Sequence, residues 1–376
     1  MRLGPGATGV AQALWTAALV GGLAILCIGR SAGHGDDFIQ DYLGARLWLA
    51  GEPAYQDLTE LRDQLGFPPA KKAVGNNPHP PLAVILAAPF AGRPFAEALF
   101  AYQVVQVLGI AWAWTGACRT FARGGWGTAT LGGLLGLWAP VWQGLDWGQP
   151  IGFVAVAAVV LWRVVRGAPP AGLAGAALAL ACCLRPFYAI LAATAVRWPL
   201  RRGVIEGLSA AAVTAALFAL VRLSPIDWLR AGAAVGETFT GECGSIPGLL
   251  GLTGLAGMWC YAVAAVAIAV ARWRGADADS CTAAALVLGL LTYPLAWFHY
   301  DVALIPVLVW LVARAHARGR APALFLAALY VALRAAPNVN GHETLQQWVQ
   351  VVGRAALAAG VLLANRPGAP EPRSGN

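Results

Sequence analysis

Long apolar runs separated by short polar segments dominate the chain from residue 9 to residue 364. A helix that crosses the hydrocarbon core of a membrane needs about 20 apolar residues, and fewer where the helix is broken. The pattern predicts about twelve membrane-spanning helices, within a range of ten to thirteen: 9–29, 95–118, 128–145, 149–165, 171–184, 186–198, 203–222, 254–271, 280–297, 301–316, 321–336 and 347–364. The runs 171–184 and 186–198 could instead form one long span, which would reverse the sidedness of everything after them.

Residues 31–94, between the first two predicted spans, form the longest segment that does not resemble a span. Apolar residues recur at spacings of three to four from Phe38 to Leu49, which predicts a short amphipathic helix. Residues 57–65 suggest a second such helix. The run NNPHPPLAVILAAPF, 76–90, is Pro-rich and then apolar over about ten residues, too few to cross a bilayer. It predicts a re-entrant or interfacial element.

Composition narrows the class of protein further. The 376 residues are 59% hydrophobic and 12% charged, and a soluble domain could not bury so much apolar surface. No polar segment is long enough for a second domain, so we expect one membrane-embedded domain over 1–376 with a disordered cytoplasmic tail at 365–376. The net charge of +8 does not form a basic stripe with interleaved aromatics, which argues against a nucleic-acid partner.

Charge distribution predicts the orientation in the membrane. With twelve spans and both termini in the cytoplasm, 15 of the 26 Lys and Arg residues fall in short cytoplasmic segments or tails. That excess agrees with the positive-inside rule. The acidic residues show the reverse bias, with 14 of 18 on the outer side. An eleven-span arrangement would place the basic cluster 314–320 outside and fits less well.

Polar residues collect on the predicted outer face. Asp36, Asp37 and Asp41 follow the first span, and the other candidates lie in DWGQP, CCLRPFY, GETFTGECGSIPG and TYPLAWFHYDVALIP. Taken singly, most of these residues could be solvated loop residues. Arg185 is different, because a charge between two apolar helices costs about 3 kcal/mol or more when it is unpaired. It is predicted to face a polar cavity or an anion.

Carboxylates together with a deep cation suit one reaction at a membrane surface, the transfer of a sugar from a lipid-linked phosphate. A carboxylate can take the proton of the acceptor hydroxyl, and an arginine can stabilise the departing phosphate. Asp277-Ala278-Asp279 has the spacing of metal-dependent nucleotide-sugar transferases. It lies in a predicted cytoplasmic loop without a nucleotide-binding domain, so we interpret it as solvated and predict no metal and no cofactor.

Six segments, in order from residue 37 to 306, resemble glycosyltransferase family 87 of the C-type membrane glycosyltransferases. DFIQDYLGARLWLAGEPAY is similar to the first-loop block of the family. Four segments are similar with departures: His79 replaces a usual tyrosine in NPHPPLAVILAAPF, Pro150 an aliphatic residue in WGQPIGF, Arg185 a lysine in LRPFY, and Tyr300 a histidine in YPLAWFHYDVALIP. ECGSIPGL departs from the pattern at Glu242 and Cys243.

The resemblance implies an all-α polytopic protein with the C-type glycosyltransferase fold and a catalytic base in the first outer loop. Asp37 takes that position; Asp36 is the alternative base, and a helix N-cap is the structural alternative for Asp37. The donor phosphate or sugar is expected to contact Arg185, His299, Gln149 and Tyr300. The acceptor is expected to contact Asp41, Tyr42, His79 and Glu242. Arg334 and Arg354 are further phosphate candidates by position alone.

The implied activity is inverting transfer of a sugar, with mannose expected, from a polyprenyl-phosphate donor to a lipid or glycan acceptor. The expected location is the extracytoplasmic face of a bacterial inner (plasma) membrane, among membrane lipids. A transporter or flippase of a lipid-linked or small polar substrate is the main alternative, since many spans and scattered charges suit it too. An inactive homologue that serves in assembly is a third.

Overall fold

The structure is a computed structural model, and it describes residues 35–67, 77, 79–121, 138–196, 199–239, 243–334 and 343–365. Every regular element within these ranges is helical. The predicted first span 9–29, the first part of the predicted span 128–145 and the tail from residue 366 lie outside them.

Three short helices follow the start of the described chain. They are α1 (Asp36–Leu49), α2 (Thr59–Gln64) and α3 (Pro81–Ala87), and a 3-10 turn, Ala88–Phe90, extends α3. The first two were predicted as helices, and the third lies in the run that was predicted to be a re-entrant or interfacial element. Helix α1 is more buried than an amphipathic helix should be, because Phe38, Leu43 and Ala45 are inaccessible and solvent reaches mainly its last turn.

Long apolar helices make up the rest of the bundle. Among the described residues, five are long and apolar enough to cross a membrane: Phe95–Phe121, Leu200–Leu220, Gly254–Trp273, Phe298–Ala317 and Thr344–Asn365. Their 20 to 27 residues span about 30–40 Å at 1.5 Å per residue. The chain is therefore an all-α polytopic membrane protein; the number twelve stays a prediction.

These helices and the shorter ones between them are labelled in chain order. They are α4 (Phe95–Phe121), α5 (Ala139–Asp146), α6 (Ile151–Gly167), α7 (Ala171–Cys182), α8 (Leu200–Leu220), α9 (Pro225–Phe239), α10 (Ile246–Leu249), α11 (Gly254–Trp273), α12 (Ala278–Thr292), α13 (Ile305–Ala317), α14 (Ala321–Leu333) and α15 (Glu343–Asn365). Two 3-10 segments, Pro186–Ala195 and Phe298–Leu304, interrupt the series. Helix α9 was missed, because its region was interpreted as a loop.

The region 171–198 forms two segments that run in opposite directions. Helix α7 ends at Cys182, and Arg185 is extended (φ −150°, ψ 118°) because Pro186 disfavours a helical residue before it. The following 3-10 segment runs alongside α6, with the Tyr188 hydroxyl bonded to the Val154 oxygen at 2.5 Å. The start of α8 then lies beside the start of α7, where Arg202 donates to the Pro169 oxygen, so the chain reverses at Arg185.

The bundle therefore has two distinguishable ends. The Arg185 end holds the reversal at residues 183–185 and the start of α6. The Asp277 end holds the end of α6 and the starts of α7, α8 and α12, which are tied together by bonds such as Arg202 Nη2 to the Pro169 oxygen (2.7 Å). Helices α8 and α11 expose large apolar side chains, including Leu208 and Val263, as surfaces that face lipid do.

Candidate active site

The turn between α5 and α6 brings Gln149 against the start of α1. The backbone oxygen of Trp147 accepts hydrogen bonds from the backbone nitrogens of Asp37 (3.2 Å) and Phe38 (3.4 Å). Gly148 has a φ of +71°, and a Cβ there would lie 2.4 Å from the Cβ of Phe38. Only glycine allows both this turn and this approach, so the sequence Trp-Gly-Gln fixes Gln149 beside Asp37.

The Gln149 side chain joins Asp37 to Arg185. Its Nε2 donates to Oδ2 of Asp37 at 2.5 Å, and Nη2 of Arg185 donates to its Oε1 at 2.6 Å. Gln149 and Arg185 are both buried, and Asp37 is half-buried. The acid of the first loop and the cation from the middle of the chain therefore lie on either side of one amide.

Arg185 retains hydrogen-bonding capacity. Its Nη1 donates to the Leu184 oxygen at 2.8 Å, while its buried Nε has no partner within the described ranges. Its Cζ lies 5.0 Å from the centre of the Tyr300 ring, and no carboxylate of the described residues forms an ion pair with it. Because a guanidinium has five N–H donors in a planar fork, it can still bind an anion such as phosphate.

His299 is a second buried polar group with unused atoms. The ring is 1% exposed, and neither ring nitrogen has a hydrogen-bond partner in the described part of the chain. The centres of the Tyr300 and Trp147 rings lie 4.6 and 6.1 Å from its own, and the Arg185 guanidinium lies against the same Tyr300 ring. Buried polar atoms are seldom left unpaired, so these nitrogens are candidates to contact a ligand.

Asp41, one helical turn after Asp37, is the centre of a separate hydrogen-bonded group. Its two carboxylate oxygens lie 3.0 and 3.1 Å from Nδ1 of His79, and Nδ2 of Asn77 donates to Oδ1 at 3.0 Å. Asn77 Oδ1 accepts from the His79 backbone nitrogen at 2.9 Å, and the Tyr55 hydroxyl donates to the His79 oxygen at 3.0 Å. Burial and nearby Asp41 raise the pKa of Tyr55 well above its usual value, so its hydroxyl remains a donor.

Sequence reasoning did not select Asn77 as a functional residue, although it is completely buried. Its side chain also donates to the Gln40 oxygen at 3.3 Å. The Asn-Pro pair in NPHPP is a turn signal, and asparagine side chains in such turns often bond the backbone two residues on. That signal could have indicated its bond to His79.

The other members of the predicted set are placed differently. Tyr42 lies in an aromatic cluster with Phe38, and its hydroxyl donates to the Arg93 oxygen at 2.7 Å and accepts from Arg46 at 2.9 Å. These contacts hold α1 to the chain before α4 rather than linking Tyr42 to Gln149. Glu242 and the side chain of Asp36 lie outside the described part of the structure.

Arg334 and Arg354 both pair with one acid, Asp301. Asp301 is fully buried; its Oδ2 accepts from Arg334 Nε at 2.8 Å, and its Oδ1 lies 2.6 Å from Arg354 Nη2. Arg334 also donates to the Phe298 oxygen (3.3 Å) and Arg354 to the Trp297 oxygen (3.1 Å). We call this group the Asp301 triad; it engages donors of both guanidinium groups in contacts inside the protein.

The Asp277-Ala278-Asp279 motif lies at the end of the bundle away from Asp37. Arg314 donates to Asp277 at 3.0 Å. Asp279 accepts from the Trp162 indole at 2.8 Å and pairs with Arg166 at 3.3 Å. Within the described ranges, no group of three His, Cys, Asp or Glu side chains could hold a metal ion.

Comparison with known proteins identifies the family. Residues 78–296, more than half of the chain, match Glycosyltransferase family 87. No curated protein and no solved structure gave a match. The matched region contains His79, Gln149 and Arg185, whereas Asp37 and His299 lie outside it. The chain belongs to glycosyltransferase family 87, a family of membrane enzymes that transfer a sugar from a polyprenyl-phosphate donor to an acceptor.

Proposed function

We propose that this enzyme transfers mannose from polyprenyl phosphate to a hydroxyl of a lipid or glycan acceptor, with inversion, and that Asp37 is the general base. The observation that carries this proposal is the Gln149 amide, which holds the Asp37 carboxylate and the Arg185 guanidinium on its two sides. A base and an anion-binding cation are the two groups that the reaction needs.

The proposed reaction is a direct displacement. The acceptor oxygen attacks the anomeric carbon of the donor sugar while Asp37 takes its proton. The bond between that carbon and the phosphate oxygen breaks, and its electron pair leaves with the polyprenyl phosphate. Arg185 stabilises the phosphate charge through its unused donors. A β-linked donor would give an α-linked product, as the resemblance to the family implies.

His299 and Tyr300 complete the proposed donor side. The His299 ring nitrogens are buried and unpartnered within the described residues, so they can bond to the phosphate or to sugar hydroxyls. The Tyr300 ring lies against the Arg185 guanidinium, and this cation–π contact stabilises the position of the planar guanidinium group. Gln149 keeps the base and the cation at a fixed separation before the donor binds.

The proposed active site faces the extracytoplasmic side of a bacterial inner membrane. Support comes from the Asp277 end, which carries the basic clusters around Arg166, Arg202, Arg272, Arg314 and Arg318 in or beside short connections. Short cytoplasmic connections are enriched in Lys and Arg. If the Asp277 end is cytoplasmic, the Arg185 end and its site are on the other side.

Product analysis tests the proposal. Purified enzyme in proteoliposomes would be given radiolabelled polyprenyl-phosphate sugars together with lipid extract from its own host membrane. The expected result is a labelled product with a new α-glycosidic bond, formed from the mannose donor in preference to the glucose donor.

The same experiment separates the other classes of protein. Movement of labelled donor across the bilayer without a new glycosidic bond would show a flippase, and uptake of a labelled free sugar, supplied to a parallel sample, would show a transporter. The absence of both transfer and transport, from liposomes containing correctly folded enzyme, would favour an inactive homologue.

A further inference from the structure

The geometry points to the Asp41–His79 pair as a second substrate-binding group, one that holds a hydroxyl of the acceptor next to the hydroxyl that reacts. This inference rests on the proposed function. It assigns His79 as a binding residue, Asp41 and Asn77 as positioning residues, and a neutral polyol such as a sugar as the acceptor class.

The Asp41 carboxylate orients the His79 imidazole. Both oxygens of Asp41 lie within 3.1 Å of His79 Nδ1. A carboxylate that also accepts from Asn77 acts as an acceptor, so the hydrogen of the ring is on Nδ1. Nε2, the other ring nitrogen, then faces away from Asp41, and it can bond a hydroxyl, which both donates and accepts.

Asn77 and Tyr55 hold the His79 residue in this orientation from other sides. Asn77 bonds both Asp41 and the His79 backbone, and Tyr55 bonds the His79 oxygen. Asp41 and Asn77 are essentially inaccessible. The His79 side chain is 13% exposed, and Nε2 has no hydrogen bond among the described residues. A ring that is held on one side and open on the other is suited to binding.

The segment that carries His79 lies against the segment that carries Arg185. The backbone N–H of Leu82, three residues after His79, donates a hydrogen bond to the Cys183 oxygen at 3.2 Å. That bond places the start of α3 against the chain reversal that carries Arg185. His79 also bonds Asp41, which lies one turn after Asp37 on the same helix. The pair therefore shares the site with Asp37.

The side of the site that carries Asp37 and Asp41 suits a neutral ligand. Asp37 and Asp41 lie one turn apart on α1, and side chains at that spacing are about 5–6 Å apart at Cβ. Two nearby carboxylates disfavour an anion, whereas the Arg185 side favours one. A neutral molecule with adjacent hydroxyls can donate a hydrogen bond to Asp37 from one hydroxyl and bond Nε2 of His79 with the other.

Two variants of His79 separate binding from folding. In His79→Asn the amide can replace Nδ1 as the donor to Asp41 but leaves nothing at the Nε2 position. In His79→Gln the longer amide reaches toward the Nε2 position with an oxygen acceptor. Both would be purified as full chains, and their melting temperatures compared with wild type; if His79→Asn does not fold, the monodeoxy acceptors with wild-type enzyme carry the test.

The assay would use octyl α-mannoside, octyl glucoside and octyl galactoside as acceptors, and the four monodeoxy forms of the mannoside. We expect His79→Asn to raise the acceptor KM about 10-fold to 100-fold, the cost of one well-placed hydrogen bond, with kcat changed less than threefold. His79→Gln should lose less than tenfold. With wild-type enzyme, one monodeoxy acceptor should show the same rise in KM. His79→Asn should raise the KM for that acceptor no further.

Several results would overturn the assignment. One is an acceptor KM for His79→Asn equal to that of wild type. Another is an equal rise in the wild-type KM for every monodeoxy acceptor. Transfer to host lipid but to none of the octyl glycosides would also reject it, while the proposed function would stand. Failure of the proposed function is distinct, because wild-type enzyme would then form no glycosidic product from any acceptor, host lipid included.

Discussion

Two buried arrangements of arginine and aspartate in this protein have opposite properties. In the Asp301 triad the acid contacts Arg334 and Arg354 directly, at 2.8 and 2.6 Å. Around Gln149 the acid and Arg185 do not pair with each other; each bonds one side of the amide. The Asp301 triad is therefore closed on itself, whereas the arrangement around Gln149 leaves Nε of Arg185 without a partner among the described residues; we call them the closed and the open arrangement.

The difference follows from how each arginine uses its donors. Arg354 donates to backbone oxygens, including those of Leu290 and Trp297, in addition to its carboxylate, and such saturation stabilises a buried charge. Arg185 has a buried Nε without a partner in the described structure. An unsatisfied charged group of this kind has a free-energy cost that a bound anion would remove.

The largest contrast should come from neutralising the acid of the open arrangement. Asp37→Asn should lower kcat about 10²-fold to 10⁴-fold, the usual contribution of a general base, with little change in melting temperature. Asp36→Asn is the matched control and should stay within threefold of wild type. Steady-state transfer rates would decide; loss with Asp36→Asn and not with Asp37→Asn would reassign the base to Asp36.

The same change in the closed arrangement should act on stability. Asp301→Asn leaves two buried guanidinium groups without their counter-ion, and removal of one partner of a buried pair costs about 3–5 kcal/mol. Thermal unfolding in detergent should show a much lower melting temperature. The rate per folded molecule should remain close to wild type, and a folded but inactive variant would contradict the structural role of the triad.

Lysine substitutions sharpen the comparison further. Arg185→Lys keeps the charge but loses the planar fork, so transfer should fall about 10-fold to 100-fold without loss of stability. Arg354→Lys should instead lower the melting temperature, because one ammonium cannot reach all the oxygens that Arg354 bonds. If both variants lost activity and stability alike, the two arrangements would not be functionally distinct.

The sequence predicted the helices with a strong apolar pattern, and it failed where that pattern was weak or interrupted. Phe95–Phe121 and Gly254–Trp273 lie close to their predicted ranges. The predicted span 280–297 instead ends at Thr292, because Pro294 restricts the residue before it. Helix α9 contains polar residues in a region interpreted as loop, so its periodicity was not recognised.

The candidate site shows a similar division. The order of short motifs brought Asp37, Gln149 and Arg185 into one hypothesis, and the structure places them in contact. Arg354 was a phosphate candidate by position alone, because it is a lone arginine in an apolar run. Its pairing with Asp301, 53 residues earlier, is a long-range contact that only the fold reveals.

The smallest effect should come from the acids at the Asp277 end. Burial alone would raise the pKa of Asp277, but the Ser280 hydrogen bonds and Arg314 outweigh it and lower the pKa from 3.8. A lowered pKa adds stability above the unfolded value, and this is lost as pH falls through the folded value. Because the Asp277 side chain is 50% exposed, Asp277→Asn should cost no more than about 1 kcal/mol at pH 7. Melting curves of wild type and variant should converge below about pH 4, and transfer at pH 7 should be unchanged; a large loss of transfer would mean that this end takes part in the reaction.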